Sequence, residues 1–197
     1  GTADVAVQEE LKIVTQLSLM DTVIDAAAKH AQGNDGLEVD KAGASLTALV
    51  KSAGEEYEVI FLADTKGKVF ADGVNGKYKG IDLSDRDYVK AALTGKVNAG
   101  SVVKSKGSGL PVLTFAAPVY SPSKELVGVV GTAPKITFLT NKIDAVKLGK
   151  TGFAFVVNKE GAVLAHPQKD LVLSFNMREQ EGMKELVGKM LAGQTGS

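Results

Sequence analysis

The sequence runs to 197 residues, enough for one large domain or two small ones and for a real hydrophobic core. Its 23 Lys and Arg are matched by 23 Asp and Glu, so no surplus of positive charge is available to follow a phosphate backbone, and nucleic acid is excluded as a partner. With no cysteine there are no disulfides and no thiolate nucleophiles or metal ligands, and no apolar run reaches the ~20 residues that cross a bilayer.

The chain opens on a helical pattern without the charged, apolar and small-residue succession of a leader, as a segment of a longer protein does. Ile13, Leu17, Met20, Ile24 and Ala27 recur at alternating steps of four and three with no Pro or Gly between them. This spacing predicts one long amphipathic helix from residue 3 to about 31, whose narrow stripe suits a sheet or the same helix of a second subunit. Gln32-Gly33-Asn34-Asp35-Gly36 breaks it, Leu37 to Ser52 reads as a second helix, and Gly54 ends that one.

Beyond Gly54 the period becomes strand-like. Tyr57 to Leu62 and Lys68 to Ala71 flank the turn Asp64-Thr65-Lys66-Gly67, a hairpin. A polar loop leads to a short helix, Asp85 to Leu93, stopped by Gly95. Three more strands are predicted, at about Ala99 to Lys104, Pro111 to Tyr120 and Leu126 to Ala133, with short turns that make them antiparallel neighbours. The expected fold class is α+β, a five-stranded antiparallel sheet with helices packed on it.

Phe61, Asp64, Gly67, Val69 and Ala71 are matched by Phe155, Asn158, Gly161, Val163 and Ala165 at a single offset of 94. Phe153 to Ala165 therefore reads as a second copy of the first hairpin, with Phe155 equivalent to Phe61, opening a second lobe that continues to a helix near Glu181 to Leu191. By the same repeat logic the second lobe lacks roughly 40 residues. That predicts an exposed sheet edge there, with disorder, exchange or pairing between chains.

Catalytic and metal motifs are not supported. Gly149-Lys150-Thr151 lacks the first glycine of a phosphate loop, replaced by Asp144, and precedes a strand instead of following one. Gly107-Ser108-Gly109 reads as a hairpin turn, and His30 and His166 have no partner at metal-ligand spacing. Ser84, Ser101 and Ser108 lack the context of an activated nucleophile, so a serine hydrolase has no motif behind it and no enzyme is expected. Asp82-Leu83-Ser84-Asp85-Arg86-Asp87-Tyr88 differs, because capping residues start a helix there and place a guanidinium and a phenol beside free backbone N–H groups, where anions are favoured.

The stretches from Gly80 to Ala92, from Gly109 to Tyr120 and from Val127 to Gly131 resemble the Cache family of receptor sensor domains, in its double-Cache form. Gly149 to Val157 with Ala165-His166-Pro167 resembles the opening of that family's membrane-proximal lobe, so the likeness spans about residues 3 to 195. The resemblance implies a helical stalk and cover at 1–53, a PAS-like distal lobe at 54–140 and an incomplete second PAS-like lobe at 147–197. It also implies a pocket in the distal lobe in which Arg86 and Tyr88 grip a carboxylate or other small anion, with Phe70, Tyr78, Ser101, Val103, Thr114 and Ala116 as further binding positions. Val89 and Ala133 stand where amino-acid-binding members carry a second aromatic and an acidic residue, leaving Asp72 as the substitute acid.

By the same resemblance the parent protein is a methyl-accepting chemotaxis receptor. Its sensor is extracytoplasmic, transmembrane helices lie outside this segment, and it pairs as a homodimer. It uses no cofactor and no metal. A histidine kinase or cyclase output is equally compatible, and the rival reading is a ligand-free dimerisation module built on the long helix.

Overall fold

The computed structural model describes residues 2–54, 56–136, 156–157 and 163–165. The chain divides into a unit of Asp4–Lys135 and a second one of Gly1–Ala3 with Ile136–Ser197. In chain order the first unit holds α1 (Thr2–Ser18) from Asp4 onwards, α2 (Asp21–Ala31), α3 (Leu37–Ser52), β1 (Tyr57–Ala63) and β2 (Val69–Asp72). It continues with α4 (Asp87–Leu93), β3 (Asn98–Ala99), β4 (Val103–Lys104), β5 (Pro111–Val112), β6 (Phe115–Tyr120) and β7 (Leu126–Pro134). The fold is α+β, as expected.

The single long helix predicted over residues 3 to 31 is two helices, parted at Leu19 and Met20. Met20 is extended, with φ −68° and ψ 132°, and the N–H groups of Leu19 and Met20 close short turns on Gln16 and Leu17. The local chemistry accounts for the break. Hydroxyls of Thr15 and Ser18 take up the carbonyls of Leu11 and Thr15 at 2.7 and 2.6 Å, and Asp21 sits in the first turn of α2, where a carboxylate complements the free N–H groups. Leu19 is left 69% exposed, and the core-facing side chains become Val14, Leu17, Val23, Ala26 and Ala27.

β1, β2, β3, β6 and β7 form a five-stranded antiparallel sheet in the order β2-β1-β7-β6-β3. Both faces are covered. Ile60 and Leu62 of β1 join Leu46, Val14 and Val23 in a core under α1 to α3, while Val59, Phe61 and Ala63 join Tyr88, Val89 and Ala92 in a second core under α4. Double burial explains why Val59 to Ala63 is a continuous apolar run and not an alternating one. α3 approaches the end of β2 so closely that a Cβ on Gly73 would lie 2.6 Å from the Leu46 carbonyl oxygen.

The predicted strands Ala99 to Lys104 and Pro111 to Tyr120 are each divided in two. Their sheet portions, β3 and β6, pair with each other, whereas β4 and β5 leave the sheet as a separate two-stranded ribbon. The departure occurs at Gly100, where a Cβ would come within 2.7 Å of the Tyr88 ring, and at Ser101, whose N–H and hydroxyl both donate to the Asp87 carboxylate. These contacts draw the backbone towards α4 and away from the ladder.

In the second unit, β8 (Val156–Val157) and β9 (Val163–Ala165) form an antiparallel hairpin. Val156 lies opposite Ala165 and Val157 opposite Val163, with a register shift between Val156 and Val157. The first hairpin pairs Leu62 with Ala71 and Ala63 with Val69, with its shift between Leu62 and Ala63. The repeat at offset 94 thus extends to pairing and bulge. Phe155, the helix expected near Glu181 and the edge expected to be exposed lie outside the described residues.

Candidate functional site

The site lies on the α4 face of the sheet, beneath the β4–β5 ribbon and beside the loop from β2 to α4. That loop is shaped by Asp72, whose carboxylate accepts the backbone N–H groups of Val74, Gly76 and Tyr78 at 2.8 Å and of Lys79 at 3.1 Å. Asn75 and Gly76 turn within it at positive φ, 59° and 78°. The loop delivers Tyr78 and Leu83 to the pocket wall and places Arg86 as the extended residue at the start of α4.

Arg86 is held by one arm. Its Nη2 donates to the Lys104 carbonyl at 2.8 Å, and its Nε is buried without a hydrogen-bond partner. Tyr88, two residues further on in the first turn of α4, is 4% exposed and lines the same cavity. Burial pushes its phenol up to about 12, against the opposing influence of the neighbouring Thr114 hydroxyl and the Arg86 charge. Tyr78 also lies above its ordinary value, chiefly through burial, while its hydrogen bond with Ser105 at 2.8 Å works the other way.

The ribbon closes the site from above. Its tip rests on Tyr78, since a Cβ on Gly107 would come within 2.2 Å of the ring, and Lys106 donates to the Asp85 carboxylate at 2.6 Å and to the Asp82 carbonyl at 2.7 Å. That ammonium holds the Asp85 carboxyl below the usual carboxylate range. Gly107-Ser108-Gly109 is thus a ribbon turn, as its spacing suggested. The empty space among the lining side chains is about 310 Å³, part of it open to solvent.

Of the positions expected to bind, Arg86, Tyr88, Tyr78, Val103, Thr114 and Ala133 line this cavity together. Four do not. Phe70 points to the opposite face, where its ring stacks on His30 at 4.0 Å and joins the core under α1 to α3. Asp72 is occupied by the four loop N–H groups. Ser101 is bound to Asp87, because the strand that was to orient it beside Val103 breaks at Gly100. Ala116 is fully buried in the core beneath α4.

Sequence reasoning missed Val59, Phe61, Leu83 and Val112, which form the apolar wall, and Ser105 with Lys106 on the ribbon. Glu58, next to Val59, is not among the lining side chains. The register between β1 and β7 shifts between Tyr57 and Val59, and in that bulge both carboxylate oxygens of Glu58 are buried. Among the described residues no cluster of His, Asp and Glu is arranged to hold a metal ion, and no helix is long and apolar enough to cross a membrane.

The family described as "Cache domain" matches residues 2–196 of this chain. The methyl-accepting chemotaxis protein PscA of Pseudomonas syringae pv. tomato is 28% identical over 123 residues, which are 60% of this chain and 19% of that protein. The chain therefore spans only about a fifth of the length of this relative. Among solved structures, the sensor domain of the V. cholerae histidine kinase DctB is similar with a TM-score of 0.69 at 15% identity, covering 94% of this chain and 68% of that one. The ligand-binding domain of the Pseudomonas aeruginosa PAO1 amino acid chemoreceptor PctC, in complex with GABA, is similar with a TM-score of 0.62 at 22% identity, covering 87% and 72%.

Proposed function

The chain belongs to the Cache domain family, and from that membership we propose that it is the ligand-sensing part of a bacterial transmembrane chemoreceptor, taking a small carboxylate-bearing molecule into the pocket between the sheet, α4 and the ribbon. The observation that carries this reading is Arg86. A guanidinium whose Nη2 is fixed by a backbone carbonyl and whose buried Nε lacks a partner is a pre-oriented, half-used fork, the geometry suited to a carboxylate. Tyr88 and Thr114 add neutral hydroxyls beside it, and Val59, Phe61 and Val112 accommodate an apolar body.

Signalling follows from differential affinity. A ligand held by Arg86 touches α4, the ribbon and the sheet at once, and so favours the arrangement in which all three are drawn together. The opposite face of that sheet packs on α1 and α2, and the Tyr57 hydroxyl at the start of β1 donates to Glu10 of α1 at 2.8 Å, a route from sheet to N-terminal helix. The proposal includes a stalk and cover at 1–53, a distal lobe at 54–140 and a partial proximal lobe at 147–197. It also includes an extracytoplasmic location, membrane helices outside the segment, a homodimeric parent and a non-enzymatic role. The likeness to a histidine kinase sensor domain supports the same sensing role with a kinase output as the second reading.

A thermal-shift screen of small carboxylates followed by isothermal titration tests the proposal. Arg86→Ala is expected to weaken the best carboxylate roughly 100-fold, the loss of a bidentate charged contact, and Arg86→Lys to recover little of it. Unchanged affinity in Arg86→Ala removes Arg86 from the site.

A further inference from the structure

We infer that the break between α1 and α2 is a two-state joint. The chain exchanges between the bent form, with α1 laid on the core, and a straight form in which α1 and α2 are one helix and α1 swings away. Ligand occupancy biases this exchange. That coupling rests on the pocket assigned above, whereas the joint itself does not.

The bend is concentrated at Met20. Its φ of −68° is already helical, and turning ψ from 132° to the helical value of about −42° would lead α1 into α2. Sharp breaks in helices normally have Pro, Gly or an inserted group behind them. Residues 2 to 31 contain neither Pro nor Gly, α2 has no side-chain cap at Met20, and Leu19 in the link is exposed and so adds no packing. The apolar spacing runs through the break uninterrupted. What remains locally is the back-bonding of the Thr15 and Ser18 hydroxyls, which bends a helix only mildly, and the charge of Asp21.

Thr22 records what the bend costs. Its hydroxyl oxygen, on the second residue of α2, is buried without a hydrogen-bond partner. Other helical threonines of this chain donate to the carbonyl four residues back, Thr15 to Leu11 at 2.7 Å and Thr47 to Gly43 at 2.9 Å. For Thr22 that carbonyl belongs to Ser18, the last residue of α1, and Thr22 does not reach it across the bend. A straight helix would bring the Ser18 carbonyl one turn below Thr22 and pair the last carbonyls of α1 with the first N–H groups of α2. Straightening would in turn give up the place of Val14 in the core and the hydrogen bond from Tyr57 to Glu10. Packing holds one form and helix continuity the other, an opposition that makes an element bistable.

Tyr57 connects the joint to the pocket. It opens β1, whose Val59 and Phe61 line the cavity on the other face of the sheet. A ligand that orders those side chains orders the strand end that holds α1, and so favours the bent form.

The test uses spin labels, which the absence of cysteine makes site-specific. Gln8→Cys on α1 and Lys41→Cys on α3 form the reporting pair, and Asp25→Cys on α2 with Lys41→Cys the control. Gln8 lies about 18 Å from the joint along the helix, so straightening displaces it by a comparable distance. Double electron–electron resonance on the ligand-free chain should show two distances for the first pair and one for the control. Asp21→Pro should remove the displaced distance, because proline suits the first helical position and confines the preceding Met20 to the extended backbone of the bent form. Thr22→Val, which removes the hydroxyl that straightening would satisfy, should also deplete it, and serves alone if Asp21→Pro fails to fold. Tyr57→Phe should increase it, and saturating propionate should deplete it roughly twofold or more. A single distance in both the parent and Tyr57→Phe, or a second distance that neither Asp21→Pro nor Thr22→Val reduces, overturns the joint. A displaced population that obeys the variants but ignores propionate upholds the joint and counts against the carboxylate reading alone.

Discussion

The buried phenols Tyr57, Tyr78 and Tyr88 set how this protein responds to alkali. Burial raises each above its ordinary value of 10, Tyr88 to about 12, and for Tyr57 the nearby Glu10 carboxylate adds to the rise. A raised pKa means that the folded state holds the proton more tightly than the unfolded chain. The resulting stability is complete below pH 10 and is lost as the pH climbs from there through the folded-state values. Unfolding temperatures measured from pH 8 to 12 should therefore be flat at first and then fall, with a shallower fall in Tyr57→Phe. The same substitution removes the hydroxyl from buried Glu10 and should cost about 1–3 kcal/mol at neutral pH, read from urea unfolding. Equal stability of Tyr57→Phe and the parent would show that the contact contributes nothing.

At the scale of elements, the central pair β1 and β7 meets at a point where packing and site are inseparable. Phe61 lies opposite Gly131, and a Cβ on Gly131 would come within 2.2 Å of the Phe61 ring, which also lines the pocket. Gly131→Ala should push that ring from its place, destabilise the fold by about 1–3 kcal/mol and weaken ligand binding together. Loss of stability with unaltered affinity would mean that Phe61 does not shape the cavity. The ribbon is secured differently. Lys106 reaches Asp85 at the surface, where water screens the pair and leaves it little weight in stability. Lys106→Ala should accordingly leave the unfolding temperature almost unchanged while increasing ligand dissociation, since the ribbon loses its tie to the start of α4 and keeps those to Tyr78 and Arg86. Stopped-flow measurement of the dissociation rate separates this from a ribbon that plays no part in closure.

For the molecule as a whole, the two cores on either side of one sheet belong to a single unit, Asp4–Lys135, and every residue of the proposed site falls inside it. A fragment of residues 1–136 is therefore expected to unfold in one cooperative transition and to bind the best ligand of the screen within a factor of about three of the longer chain. A fragment that folds but does not bind would place part of the site beyond residue 136.

The sequence by itself determined the sheet's strand polarity, the α+β class, the second hairpin down to its register, and the position of Arg86 at a helix start, because turn residues, helix stops and repeat spacing are local signals. Tertiary structure decided the rest. Alternation tells which residues of a strand share a face but not which face meets the cavity, so Phe70 was expected in the pocket and stacks on His30 behind the sheet. The strand bearing Ser101 bends towards α4 because Asp87, distant in sequence, captures it. Asp72 is drawn into the loop that follows it, and the break at Met20 yields two helices where the apolar spacing read as one. Glu58 lies at the bulge between Tyr57 and Val59 and raises the Tyr78 phenol from there, a neighbour that the linear sequence does not name.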